Sequence, residues 1–187
     1  TLWTLQKDQY LPKDEATFEC ALMFHEWAVL RGDATDAAVL ARVLDSSACT
    51  PSQLFDANSQ KALRLSRDED WEAAIPIYKI LVNDCIVQGK SRKKARCLLA
   101  IAAAHLDSSE GVSNCLPYLM ECLHLSDKLR MPGVYSSALV TLARVQARLG
   151  RPQLAYATAR AALPALLEHG HVGFQAQAYL VLGESHL

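Results

Sequence analysis

The stretch Ala155-Tyr156-Ala157-Thr158-Ala159-Arg160-Ala161-Ala162 puts small residues four and then three positions apart, at 155, 159 and 162. Small side chains at such positions let a second helix approach closely. The pattern of a small residue, an apolar or aromatic one four later and an apolar one three after that occurs four times: Ala37, Ala41, Leu44; Ala74, Tyr78, Leu81; Cys115, Leu119, Cys122; and Ala155, Ala159, Ala162. Successive first members are 37, 41 and 40 residues apart. A fixed period in this range predicts a helical-repeat array rather than a globular enzyme.

The first helix of each repeat carries a second small-residue site, clearest at Ala100, Ala143 and Gly183, each of which follows a leucine. An alanine-rich bundle is the alternative interpretation, but it does not account for four triplets at nearly equal spacing. We therefore expect the helices of the repeat array to pack at Ala37, Ala74, Tyr78, Cys115, Leu119, Ala143, Ala155, Ala159 and Gly183.

Glycines mark the breaks between helices. Gly32, Gly89, Gly150 and Gly170 follow helical patterns and fit helix C-termini, where a left-handed residue satisfies the last carbonyls. Thr50, with proline next and glutamine three residues later, predicts a helix start. Strand signals are absent from the sequence. The predicted helices span residues 14–31, 35–47, 51–67, 71–89, 91–107, 112–130, 133–149, 151–169 and 172–187.

The expected fold class is all-α: a tetratricopeptide-like helical-repeat superhelix, or α-solenoid, with about four helix-turn-helix repeats and a half repeat. One array is expected over 1–187, as a piece of a longer chain, and the segment Thr1–Lys13 is expected to be the second helix of a preceding repeat. The predicted repeats are 14–47, 51–89, 91–130 and 133–169, followed by the half repeat 172–187.

Composition narrows the class of function. The 187 residues are 51% apolar and carry 19 basic and 20 acidic side chains, for a formal charge of −1. Because the charges nearly balance, the protein has no net electrostatic field that would favour binding to nucleic acid or to an anionic membrane. No apolar stretch approaches the ~18 residues of a membrane span. We expect a soluble intracellular protein that binds neither nucleic acid nor membrane.

Candidate chemistry is sparse in the sequence. The six histidines are scattered, and Cys122 and His124 point ~200° apart on a helix, so no metal site is predicted. No Gly-x-Ser-x-Gly motif occurs. Neither catalysis nor binding of a cofactor, metal or small molecule is expected, and the six cysteines are expected to be mostly packed, reduced thiols.

One dense basic cluster stands out, formed by Lys90, Arg92, Lys93, Lys94 and Arg96. A nuclear-localisation or nucleic-acid role is conceivable for such a cluster. A solvated turn between repeats is the favoured interpretation, because no aromatic residues interleave with the cations.

The first helix of each repeat lines the concave groove of such a superhelix. We hypothesise that this row holds a short acidic partner segment; an ordinary solvated inner surface is the alternative. The predicted partner-binding residues are Glu26, Leu63, Arg67, Ile101, His105, Arg144 and Arg148.

Several stretches resemble a known family. They are Ser113-Asn114-Cys115-Leu116-Pro117-Tyr118-Leu119, Leu149-Gly150-Arg151-Pro152, Ala161-Ala162-Leu163-Pro164, Glu168-His169-Gly170 and, upstream, Lys79-Ile80-Leu81-Val82-Asn83-Asp84-Cys85. They are similar to the C-terminal repeats of the subunit 5 family of the anaphase-promoting complex, or cyclosome. The similarity covers residues 50–187 better than the first 50, and cysteine replaces the family's usual alanine at Cys115 and Cys122.

The resemblance implies a non-catalytic subunit of a nuclear ubiquitin ligase that controls mitotic progression. It implies a place in the platform that joins the catalytic module to other repeat subunits, with platform subunits 1, 4 and 15 as partners and the nucleus and cytoplasm as locations. The alternative is a peptide-binding repeat adaptor outside the ubiquitin system. A co-chaperone clamp of that class would show paired lysines and asparagines along the groove, and a transcription regulator would need a DNA-binding domain; neither feature is visible in the sequence.

Overall fold

The fold is all-helical in the computed structural model, which describes residues 15–108 and 111–184. These residues form nine α-helices and no strand, which confirms the all-α helical-repeat class. The prediction for Thr1–Lys13 lies outside the described residues. The helices are α1 Glu15–Arg31, α2 Ala34–Ser47, α3 Pro51–Arg67, α4 Trp71–Val87, α5 Ser91–Asp107, α6 Gly111–Lys128, α7 Pro132–Arg148, α8 Pro152–His169 and α9 Val172–Glu184.

The chain divides into two compact units between Ile77 and Tyr78, inside α4. In the first unit α1 packs on α2, and both contact α3. In the second unit α5 pairs with α6 and α7 with α8, while α9 packs on α7 and α8. Helices therefore pack on their neighbours in sequence within each unit. One array over the whole chain stays a prediction.

Three of the four glycines predicted to end helices adopt the left-handed conformation. Gly32, Gly89 and Gly150 have φ angles of 74°, 66° and 70°, the left-handed conformation that glycine adopts without strain. Gly170 does not: its φ is −91°, and its prediction as a left-handed cap is wrong. A Cβ at Gly170 would lie 2.5 Å from the Leu166 carbonyl oxygen, so close packing against the last turn of α8 explains this glycine.

The predicted start of α3 is confirmed in detail. The Thr50 side chain accepts a hydrogen bond from the Gln53 backbone N–H at 3.2 Å, and the Gln53 side chain accepts one from the Thr50 N–H at 3.1 Å. These two bonds satisfy donors that a helix start otherwise leaves unpaired.

The first unit buries the inner face of α1 against α2 and α3. Phe18 and Ala21 pack with Leu44 and Ala57 in one cluster. Further along α1, Ala28 packs with Ala37, the first member of the first triplet, in a second cluster. The triplet face therefore lies at the α1–α2 contact.

The second unit repeats this arrangement. Cys115, Leu119 and Cys122 of α6 pack in one cluster with residues of α5 and α7. Ala143 of α7 packs with Ala155 and Ala159 of α8. Helices α5 and α6 approach each other closely, since the Cys122 thiol of α6 donates a hydrogen bond to the Ala95 carbonyl oxygen of α5, with sulfur and oxygen 3.3 Å apart.

One of the nine predicted packing residues is not buried in the structure. Eight are buried as expected: Ala37, Ala74, Tyr78, Cys115, Leu119, Ala143, Ala155 and Ala159. Gly183 is exposed, and a Cβ at that position would meet no atom within 4 Å. No helix of the described chain crosses α9 at this glycine.

Candidate functional site

The predicted groove residues of the first unit lie on α1 and α3. Glu26 is exposed and accepts a hydrogen bond from the Gln60 side-chain amide at 3.1 Å. Leu63 is 43% exposed. The Arg67 guanidinium donates to the Val29 carbonyl oxygen in the last turn of α1. The structure places Glu26 and Arg67 at the α1–α3 contact, where both side chains form hydrogen bonds within the chain.

Two predicted groove residues of the second unit belong to its core. Ile101 and His105 of α5 are 0% and 1% exposed. The His105 ring stacks on Tyr118 of α6, with the ring centroids 5.4 Å apart. Because α5 contacts both α6 and α7, it buries most of its circumference. These two side chains therefore do not line an exposed groove, which corrects the expectation from helical phase.

Arg144 connects three successive first helices. It forms an ion pair with Asp107, at the end of α5, and both side chains are largely buried. Its Nη1 donates to the Gln177 side-chain oxygen of α9 at 3.4 Å. Arg144 thus links α5, α7 and α9, and Asp107 occupies the place foreseen for an acidic partner. Partner binding by the predicted row stays a prediction.

Arg148 repeats the bond made by Arg67. Its guanidinium donates to the Leu106 carbonyl oxygen in the last turn of α5, and its Nη2 lies 3.4 Å from Asp107. The last four carbonyls of a helix have no partner within the helix and carry the negative end of its dipole. In each unit an arginine on the next first helix donates to one of these carbonyls, and the Val29 carbonyl oxygen also accepts from the Gly32 N–H at 3.2 Å. We call Arg67 and Arg148 the clamp arginines.

Sequence reasoning missed the side-chain partners of Glu26 and Arg144. Gln60, Asp107 and Gln177 lie 33 or more positions from the residues they contact. A carbonyl acceptor leaves no signature in the sequence. The one available signal was the approach to a helix end: Asp107 and the clamp arginines all sit in the last turn of their helices.

The predicted basic cluster spans the start of α5. Lys94 pairs with Glu121 of α6 at 2.6 Å. Arg92 donates through Nη2 to the Leu129 carbonyl oxygen at 3.3 Å, just beyond the end of α6. The cluster therefore lies where the start of α5 meets the C-terminal half of α6.

Large exposed apolar side chains occur in groups of three on α1, α4 and α9, and those on α4 are Ile80, Ile86 and Val87. Met23, Phe24 and Trp27 are all more than half exposed on α1, and the Arg31 guanidinium carbon lies 4.5 Å from the centroid of the Trp27 ring. On α9, Tyr179 and Leu180 are exposed while Ala178 and Val181 face the core. Contiguous exposed apolar side chains are typical of protein-interaction surfaces.

A small cavity of about 150 Å³ lies in the first unit between the end of α1, the start of α2 and the end of α3. Its wall carries Arg64 and Asp68, which form an ion pair at 3.7 Å. The two charges compensate one another, so the cavity presents no isolated charge from this pair.

Among residues 15–108 and 111–184, no three His, Cys, Asp or Glu side chains are placed to hold a metal ion. Of the helices in the same ranges, none combines the length and apolar character needed to cross a membrane. No family model matches this chain, and no curated protein matches it.

Proposed function

We propose that this chain is a non-catalytic scaffold subunit of the anaphase-promoting complex and works through contacts with other proteins. The observation that carries the proposal is the sequential packing of helical hairpins through small-residue faces, with apolar side chains left exposed on α1, α4 and α9. Repeats of this kind offer extended surfaces to partner chains.

The resemblance to the subunit 5 family supports the choice of assembly. Two of the stretches that carry it contain Cys115, Leu119 and Ala162, which are buried packing positions. The family's alanine and the present cysteine are both small enough for such a position. The proposal includes platform subunits 1, 4 and 15 as neighbours, and the nucleus and cytoplasm as locations.

Affinity purification of the tagged full-length protein from mitotic cells, followed by mass spectrometry, tests this proposal. We expect cyclosome subunits to dominate the recovered proteins over a control purification with an unrelated tagged helical-repeat protein. Recovery of co-chaperones or trafficking proteins in their place would contradict the proposal and favour an adaptor outside the ubiquitin system.

A further inference from the structure

We propose that one edge of the second unit binds an acidic polypeptide segment. This edge, which we call the basic edge, joins the first turns of α5 to the α6–α7 turn. The inference deepens the proposed function and rests on its general part, that the chain works by protein contacts. The basic edge is formed by Lys90, Arg92, Arg96, Lys128 and Arg130.

Two stretches distant in sequence meet at this edge. The hydrogen bond from Arg92 to the Leu129 carbonyl oxygen places Arg92 beside Lys128 and Arg130, the two neighbours of Leu129 in the chain. Arg96 follows Arg92 by one helical turn and therefore lies on the same side of α5, about 6 Å along its axis. Arg92, Arg96, Lys128 and Arg130 are exposed.

The charge at this edge is strongly one-sided. Residues 88–96 and 127–131 contain seven cationic side chains and one carboxylate, Asp127, although the whole chain has a formal charge of −1. Lys94 is compensated by Glu121 of α6. The bond from Arg92 to a carbonyl oxygen leaves its charge in place. The edge therefore differs from the row at Arg144, where Asp107 supplies a carboxylate.

The backbone at Arg130 gives a second observation. Arg130 has a φ of 51°, in the left-handed region, and the Met131 N–H donates to the Ser126 carbonyl oxygen at 2.9 Å. The α7–α8 turn has the equivalent hydrogen bond, from the Arg151 N–H to the Gln146 carbonyl oxygen. In that turn the position equivalent to Arg130 is Gly150. Glycine adopts this conformation without the strain that a Cβ brings. The turn at Arg130 therefore keeps a cationic side chain at the basic edge, at a position where the α7–α8 turn has none.

The spacing favours a polypeptide over a nucleic acid. In an extended peptide, side chains on one face recur every two residues, about 6.6 Å apart, which matches the rise of about 6 Å between Arg92 and Arg96. Residues 88–96 and 127–131 contain no aromatic side chain on which a base of a single strand would stack. Carboxylates on alternate residues would each meet a cation.

Fluorescence anisotropy of the polypeptide of residues 1–187 tests this inference. The probe is a labelled 12-residue peptide of alternating Glu and Gly, and the comparison peptide carries Gln in place of Glu. We expect the Glu peptide to bind about tenfold more tightly than the Gln peptide and to weaken as salt rises, because the contacts are ionic. A 12-nucleotide uridine strand serves as the nucleic-acid competitor.

Arg130→Gly separates binding from folding. This variant removes one cation and the backbone strain together, so we expect the melting temperature to rise by about 2–4 °C and the affinity for the Glu peptide to fall about threefold. Glu69→Gly is the matched control, because Glu69 has a φ of 60° in the α3–α4 turn of the chain. We expect the control to raise the melting temperature and leave peptide affinity unchanged.

Three results would overturn the inference. The first is equal binding of the Glu and Gln peptides, and the second is an unchanged affinity for the Glu peptide in Arg130→Gly. The third is that the uridine strand binds more tightly than the Glu peptide and that Arg130→Gly weakens this binding. The last result would make the edge a nucleic-acid surface. Peptide binding by the isolated chain does not depend on which assembly the protein joins. Failure of this experiment and failure of the cyclosome purification are therefore distinguishable.

Discussion

Four of the six cysteines are side chains of the core, and their environment sets their chemistry. Burial raises the pKa of Cys97 and of Cys122 to about 12 and that of Cys115 to about 11. Burial also raises the pKa of the Cys85 thiol. The thiolate is the reactive form of cysteine, so these residues act as small apolar side chains rather than as nucleophiles.

Thiol labelling of the native chain checks this description. A short pulse of iodoacetamide at pH 8 should modify Cys20 and Cys49, which are exposed, and leave the four buried thiols unmodified. In urea all six should react. Peptide mass spectrometry identifies the labelled positions. Rapid native labelling of Cys115 or Cys122 would contradict the packing of α6 described above.

His25 makes the first unit sensitive to acid. It is fully buried on α1, and burial lowers its pKa below 6.5, with the Arg64 charge adding to this effect. The amide of Gln60 on α3 and the carboxylate of Asp45 on α2 act in the opposite direction and do not cancel it. The folded chain therefore binds this proton more weakly than the unfolded chain, whose histidine titrates near 6.5.

This difference in pKa predicts a loss of stability on acidification. As the pH falls below about 6.5, the unfolded state gains a proton that the folded state does not, which costs up to about 1.4 kcal/mol of unfolding free energy per pH unit. The loss ends once the pH is below the folded pKa of His25. We expect the midpoint of urea unfolding to change less between pH 7.5 and pH 5.5 in His25→Leu than in the parent chain.

His124→Gln is the control for this experiment, because His124 is exposed on α6. This variant should keep the pH dependence of the parent chain. Equal pH dependence in His25→Leu and the parent would show that His25 does not carry the effect.

At the scale of helices, the clamp arginines join one first helix to the next. Arg148 supplies a charged donor to a carbonyl at the end of α5, and Arg67 does the same for α1. A hydrogen bond from a charged group contributes about 1.5–3 kcal/mol to stability when it is not fully exposed. The clamps are therefore expected to stabilise each unit rather than to hold a partner.

Arg148→Ala tests the clamp. We expect the unfolding free energy to fall by about 1–3 kcal/mol, since the Leu106 carbonyl loses a charged donor and Asp107 loses a nearby cation. Arg151→Ala, an exposed position next to the α8 start, is the control and should change it by less than about 0.5 kcal/mol. Equal stability of Arg148→Ala and Arg151→Ala in urea unfolding would contradict the assignment.

The helices were largely predictable from sequence, because caps, glycines and apolar spacing act locally. The α3 start at Thr50 and the turns at Gly32, Gly89 and Gly150 are of this kind. The candidate site was less predictable. The phase of α5 predicts exposure of His105, yet neighbouring helices cover that side, and only tertiary packing decides this.

At the scale of the whole molecule, stability in a repeat protein comes mainly from contacts between neighbouring elements. Each unit buries triplet residues against the adjacent helix, as Ala159 does against Ala143 in α7. A change at one such contact is therefore expected to loosen the helices that share it and to leave distant helices protected.

Hydrogen exchange of Ala159→Leu tests directly whether the triplets hold neighbouring helices of the array together. Leucine at this fully buried site overpacks the α7–α8 contact and should cost about 1–3 kcal/mol. Ala161→Leu, an exposed position on the same helix, is the matched control. We predict faster exchange of α7, α8 and α9 in Ala159→Leu alone, with α1–α3 unchanged. Equal exchange in the two variants, or faster exchange spread evenly over all helices, would contradict the account.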